Sequence, residues 1–412
     1  MNTTSSLPKT GWRAALMWGI GITLVHRILL TLWLALAWNV VGQYLGDAAV
    51  DFHTVGAQIP HLETQLEQTI FGVWRRWDAI HYLDLAQNGY RLQNPGATVF
   101  GVLTPLGFRV FDAVLPGSLD LAAMVFETVA FAAALVLLYR VCEVYYGDAE
   151  LGAWSVAVVA LFPLSYFFAA PMSESIYLAL VLGVFYFAAK DRWAFAAVSG
   201  FLATLARSQG ALLFFVVILL LLEKHWHENT QWSARIRTLV KRGWVLVLIP
   251  LGAILFSLYR AQLQLPPLDE VYAQYSFVFF TNPLDGLLAN LRWIANHPAE
   301  ALYNVDVWGI FIFGGLALAA SAFKKHRRLP LLAYTFGYLL VFISKLNWQW
   351  GTDEAIFTQS FARYCLALFP LFVLIGDGLR HTTFWGRILL VLLLGFGLLA
   401  LSGLYVFALT GP

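Results

Sequence analysis

The chain has 412 residues, 60% hydrophobic and 12% charged, with 24 acidic against 26 basic residues and a formal net charge of +2. A soluble domain carries about 25% charged and 45–50% apolar residues, so the composition excludes a water-soluble globular protein and predicts an all-α polytopic membrane protein. The near-balance of charge argues against a nucleic-acid partner, and Cys142 and Cys365 lack the spacing of a metal site or disulfide framework.

A membrane span needs about 20 mostly apolar residues. In chain order the sequence predicts helices near 14–42, 119–140, 151–170, 173–189, 243–261, 307–323, 330–346, 360–379 and 386–408. The first is too long for a signal-peptide core and lacks a small-residue cleavage site, so it reads as a retained span. Two further pieces are irregular. Segment 99–116 holds Pro105, Arg109 and Asp112 and is short for a crossing, while segment 193–223 is broken by Ala206-Arg207-Ser208-Gln209-Gly210. Together these give a single domain, 1–412, of about 9–12 transmembrane or re-entrant helices.

The basic residues cluster at Lys9 and Arg13, Lys190 and Arg192, the 224–242 loop, 324–328, and Arg380 and Arg387. All fall on the inner side if 193–223 is a hairpin of two short helices and 99–116 is re-entrant. Segments 43–118, 262–306 and 347–359 then form outer loops, dense in Trp and Tyr as boundary segments are. The first of them is predicted to be structured by short helices.

That first loop contains FGVWRRWDAIHYLDLAQNGY at 71–90. Residues 77–87 suit a short helix stopped by Asn88-Gly89. Spacing of three and four puts Asp78, His81, Tyr82 and Leu85 on one side, with Trp77, Ile80 and Asp84 on another. Asp78 lies in the first turn, so it reads either as a cap or partner of Arg75 or Arg76, or as a site group. Glu174, Arg207 and Arg363 sit where charge is costly and marks a pathway, a site or a structural ion pair. Two arginines beside carboxylates suit an anionic headgroup with a neighbouring base. No GxxxxGK[ST], HExxH or GxSxG pattern occurs, and His53, His61, His81 and His297 are scattered rather than paired at ligand spacing.

Arg76-Trp77-Asp78-Ala79, His81-Tyr82-Leu83, Ala86 and Gly89-Tyr90 resemble the RWDA…GY signature of the PIG-V-like mannosyltransferases, integral-membrane enzymes of the GT-C class related to GPI mannosyltransferase 2. Ser173-Glu174-Ser175 is similar to that family's SES segment, and Arg207-Ser208-Gln209-Gly210 to its RSNG segment. Arg363-Tyr364 with Pro370-Leu371-Phe372 is similar to its late RY…PLF element. The motifs follow the family's order from 76 to 372. One segment departs: where the family has AFFPLYP, this chain has Val102-Leu103-Thr104-Pro105-Leu106-Gly107-Phe108, and the intervening acidic residue is absent.

The resemblance implies a GT-C-type helical bundle and an inverting transfer of a sugar, mannose by kinship. The donor would be a polyprenyl or dolichyl phosphate sugar, the acceptor a hydroxyl of a glycan or glycolipid, and membrane lipid the surroundings. No cofactor is expected. In that frame Asp78 is the catalytic base, with Glu174 and Asp51 as alternative base or sugar-binding groups. Arg207, Arg363, Arg76 and Arg75 are the candidates for the donor phosphate, and His81, Tyr82, Tyr90, Gln209 and Tyr364 for substrate contact. The active face would be outer or lumenal, in the plasma membrane of a prokaryote or the endoplasmic reticulum of a eukaryote. A transporter or flippase of a lipid-linked sugar, or a non-catalytic family member, would present similar residues. The absence of an internal repeat disfavours the transporter.

Overall fold

Within a bilayer every backbone polar group must be satisfied internally, and this chain does so almost wholly with helices. The computed structural model describes residues 11–45, 58–226, 231–275, 277–348 and 355–407. The first half comprises α1 (Gly11–Leu45), α2 (Gln65–Ile70), α3 (Asp78–Asn88), α4 (Leu103–Val114), α5 (Leu119–Tyr146), α6 (Ala149–Leu161), α7 (Glu174–Ala189), α8 (Trp193–Ala206) and α9 (Leu213–His225). The second comprises α10 (Trp232–Gly243), α11 (Leu248–Gln262), α12 (Leu268–Tyr275), α13 (Pro283–Asn296), α14 (Pro298–Tyr303), α15 (Val305–Ala322), α16 (Leu329–Ile343), α17 (Phe361–Tyr364), α18 (Phe369–His381) and α19 (Phe384–Val406).

Among the described residues six runs are long and apolar enough to cross a membrane: Gly11–Val41, Leu119–Tyr146, Ser208–His225, Trp232–Gln262, Val305–Ala322 and Phe384–Val406. A seventh would be the bent pair Phe361–Ala367 and Phe369–His381, which meet at 79°. The helices α6, α7, α8 and α16 are apolar but shorter. The chain is therefore an all-α polytopic membrane protein. Helices α5 and α7 pack against each other at the centre, flanked by α1 and α8. Their shared core is aromatic, with Phe131 stacked on Phe168 at 4.6 Å and Phe185 edge-on to Phe369 at 4.9 Å. Outer positions such as Met17, Leu32, Leu258 and Phe396 stay exposed, as a lipid-facing surface requires.

Several boundaries differ from the sequence expectation, and prolines explain most of them. The helix expected over 151–170 stops at Leu161, because Pro163 drives Phe162 to an extended ψ of 138°. A 3-10 turn, Ser165–Phe168, follows before α7 begins at Glu174. The span expected over 360–379 breaks at Leu368, where Pro370 has no N–H to continue the ladder. The helix expected over 330–346 ends at Ile343, and the 224–242 segment taken as a loop contains α10. Of the irregular segments, 193–223 is α8 and α9 separated by a 3-10 turn, Ser208–Leu212. Segment 99–116 holds the 12-residue α4, which at 1.5 Å per residue spans about 18 Å and falls short of a bilayer core.

A small antiparallel sheet was not anticipated. Strands β1 (Val278–Phe280), β2 (Lys345–Trp348) and β3 (Ala355–Phe357) lie in the order β1-β2-β3, with Phe280 opposite Lys345 and Asn347 opposite Phe357. Successive side chains on a strand alternate faces, so Lys345 and Asn347 share one.

Candidate active site

The stretch at 71–90 folds around two aspartates with different duties. Trp77 takes φ 53°, turning the chain so that Asp78 opens α3, and Gly89 closes the helix at φ 75°, a conformation that glycine adopts without strain. Asp84 is fully buried and accepts hydrogen bonds from Gln58 N, Asn88 Nδ2, Arg91 Nη2 and Asn94 Nδ2 at 2.6–2.9 Å. A carboxylate with four donors is an anchor for the loop around it. Asp78 instead joins a chain of charges drawn from distant parts of the sequence.

That chain is short and continuous. Asp78 Oδ2 lies 2.6 Å from Arg363 Nη1, and Arg363 Nε lies 2.5 Å from Glu174 Oε1. The same Oε1 accepts Arg207 Nη2 at 2.5 Å. Arg207 Nε donates to Ser173 Oγ at 2.7 Å, and Tyr82 OH donates to it at 2.8 Å. Four motifs separated by up to 285 positions thus meet at one point. The Asp78 side chain is 23% exposed and that of Glu174 1%, so only Asp78 presents its carboxylate to an incoming group.

The local scaffolding explains why these groups meet. Helix α8 ends at Arg207, whose backbone is extended, and the chain folds back so tightly that Gly210 lies against the last turn of α8. Gly101 approaches the same turn from the other side, where a Cβ would stand 2.4 Å from the Leu205 and Ala206 carbonyl oxygens. The short helix α17 is held by Asp306, whose two oxygens accept Ser360 N at 2.8 Å and Ala362 N at 2.9 Å. Arg363 is the next residue.

A cavity of about 270 Å³ opens beside this network. Asp78, His81 and Tyr82 line it from α3, Arg207, Ser208 and Gln209 from the α8 break, and Tyr364 from α17. Burial would raise the Asp78 pKa, but Arg363, then His81 and Lys345, outweigh it and hold the carboxyl below its usual value. Burial pushes His81 down, against the pull of Asp78 and Asp84. Burial raises the Tyr82 phenol, which stays protonated as a donor. His81 Nδ1 is buried without a hydrogen-bond partner.

Other sequence candidates lie elsewhere. Arg75 forms a two-pronged pair with Asp120 at 2.6–2.7 Å, and Arg76 donates through Nε to Val406 O at 2.6 Å. Neither lines the cavity, so neither is placed to meet a phosphate there. Tyr90 donates to Phe100 O at 2.6 Å and packs on Phe256 and Tyr259, also outside the lining. Asp51 lies outside the described residues. The segment that departs from the family pattern, 102–108, does not line the cavity; Phe100 and Gly101 just before it do. Among the described residues no group of three His, Cys, Asp or Glu side chains is arranged to hold a metal ion.

Sequence reasoning missed Lys345 and Asn347, which line the cavity from strand β2, and Gln359, which lines it from the turn after β3. Asn347 and Gln359 are cross-linked by two hydrogen bonds of 3.0 and 3.2 Å. The available signal was a lone lysine inside a stretch read as a membrane helix, which is costly there without a purpose.

Fold and site together define a polytopic membrane protein with a polar, charge-lined cavity at one end of its helix bundle. No family model matches the chain. A stretch of 154 residues, 36% of the chain, is 32% identical to GPI mannosyltransferase 2 of Schizosaccharomyces pombe (strain 972 / ATCC 24843). The match spans about a third of that relative's length, 32%.

Proposed function

We propose that this chain is an inverting glycosyltransferase of the GT-C type, most simply a mannosyltransferase, that moves a sugar from a polyprenyl or dolichyl phosphate donor to an acceptor hydroxyl. The observation that carries the reading is the half-buried carboxylate of Asp78 at the wall of a cavity, backed by a buried arginine network. The partial likeness to a GPI mannosyltransferase supports it, and so does the order of the four motifs.

Asp78 accepts the proton of the acceptor hydroxyl as that oxygen attacks the anomeric carbon. Arg363 orients Asp78 and is itself fixed by Glu174. In the free protein this neighbourhood makes Asp78 a weak base, but an anionic donor entering the cavity offsets the positive field and raises its basicity. A positioned base contributes on the order of 10²–10⁴-fold. Glu174, shut behind Arg363, serves as the counterion.

The face is proposed to be the outer or lumenal one, with 43–118, 262–306 and 347–359 on that side of a single domain. The support is geometric. Lys224 Nζ donates to Ala189 O at the far end of α7, where Arg328 pairs with Glu223. Glu174 begins the same helix, whose 16 residues hold the two ends about 24 Å apart. The basic end belongs inside. The deciding experiment incubates purified protein with radiolabelled polyprenyl-phosphate mannose and candidate acceptors and identifies the labelled product. Transfer by the wild type that Asp78→Asn lowers at least about 100-fold is expected; near-normal turnover of Asp78→Asn sinks the assignment.

A further inference from the structure

A charge count around the cavity separates two kinds of cation. Arg207 and Arg363 are matched by Glu174 and Asp78, two positive charges against two negative, through contacts of 2.5–2.6 Å. An incoming anion gains little from guanidinium groups already committed to carboxylates, and extracting them would leave buried charges unpaired. Lys345 is different. It lines the cavity, it is 9% exposed, and no described carboxylate forms an ion pair with it. Its Nζ lies 3.3 Å from the Tyr364 hydroxyl and 4.8 Å from the centre of that ring. Tyr364 also lies beside Arg207, at 5.2 Å, so one ring contacts both the committed arginine and the lysine. Asp78 and Asp306 act on it only at longer range than an ion pair; a buried ammonium with no described carboxylate in contact is expensive, and an anion in the cavity can supply that contact.

We infer that Lys345, held by Tyr364 and placed by strand β2, is the binding group for the phosphate of a lipid-linked donor, and that Arg207 and Arg363 position the base rather than bind phosphate. The inference rests on the transferase reading for its choice of donor. In the transfer, the acceptor oxygen bonds to the anomeric carbon while the bond from that carbon to the phosphate oxygen breaks. The electron pair leaves with the phosphate, turning a singly charged diester into a monoester that carries a second negative charge. The acceptor proton goes to Asp78 and from there to solvent or the departing monoester. The added charge appears on the phosphate, and an uncommitted lysine stabilises it without first breaking an ion pair.

The test is binding without turnover. Full-length protein in neutral-lipid nanodiscs is titrated with a polyprenyl monophosphate, with the uncharged polyprenol and with inorganic phosphate, reading thermal stabilisation and intrinsic tryptophan fluorescence. The wild type should bind the monophosphate at least about ten-fold more tightly than the polyprenol. Lys345→Met should lose that margin, and Lys345→Arg should keep it within about three-fold. Equal binding of monophosphate and polyprenol by the wild type overturns the inference even if Lys345→Met fails to fold. So does a Lys345→Met protein that retains the margin. Inorganic phosphate binding as tightly as the lipid would overturn the lipid assignment. Asp78→Asn separates the two readings, since it should lose transfer and keep phosphate binding. Lys345-dependent binding with no transfer by the wild type would leave this inference standing and the transferase reading fallen.

Discussion

At the scale of residues, Asp78 and Glu174 belong to one network yet differ in exposure, 23% against 1%. Removing the buried charge should therefore hurt folding, and removing the open one should hurt chemistry. Glu174→Gln is expected to destabilise by about 3–5 kcal/mol, the cost of breaking a buried pair, measured by thermal unfolding in detergent. Asp78→Asn leaves Arg363 bound to Glu174 and should cost less stability than Glu174→Gln. The depressed Asp78 pKa also fixes a pH dependence. A general base works when ionised, and Arg363, His81 and Lys345 keep this carboxyl ionised to below its ordinary value, about 3.9 for an aspartate. The kcat/KM of the free enzyme should thus show no acid limb between pH 8 and 5; an acid limb near pH 6 would point to another base. Asp78 was readable in the sequence because helical spacing split it from Asp84 and a family motif surrounded it. Arg75 and Arg76 look equivalent to it by the same criteria. Their diversion to Asp120 and Val406 depends on partners 45 and 330 positions away, which local spacing does not encode.

At the scale of elements, the site is held by breaks. The long apolar runs were legible because hydropathy averages over 18 or more residues. Shorter interruptions were legible only where proline or a charged break marked them. The β2 strand was hidden because Ser344-Lys345-Leu346 continues the apolar run of α16 without a breaker. A tight break lies at Gly210, where a Cβ would stand 2.4 Å from Thr204 N. Gly210→Ala should push the 3-10 turn off α8, displace Arg207 and cost about 1–3 kcal/mol. Thermal melts and activity should fall together. Asp306→Ala should act at α17 in the same way, because it removes the acceptor for two backbone N–H groups just before Arg363.

At the scale of the whole molecule, the proposed orientation puts the basic end and the cavity end of the bundle on opposite sides of the membrane. The native thiols, Cys142 and Cys365, are both buried and will not interfere with labelling. Single cysteines introduced at the exposed positions Gln93 and Lys324 should react with a membrane-impermeant maleimide from opposite sides, Gln93→Cys from outside in intact cells or from the lumen of sealed vesicles. Labelling of both from one side would refute the orientation. In the sequence the proposed polarity rests on the lysine and arginine distribution; the helix count stays open there, since α4, α6 and α8 are too short for hydropathy to settle.

The single oxygen Oε1 of Glu174, shared by Arg207 and Arg363, limits how such a chain can drift. Any one substitution among the three strands a buried charge, so each single step is worse than its endpoint. Exchange of Glu174 and Arg207 together for a neutral pair of similar size leaves the Arg363–Asp78 pair in place and should recover stability that neither change alone retains, a coupling visible in a double-mutant cycle. Positions 33 residues apart are therefore heritable most readily as one unit.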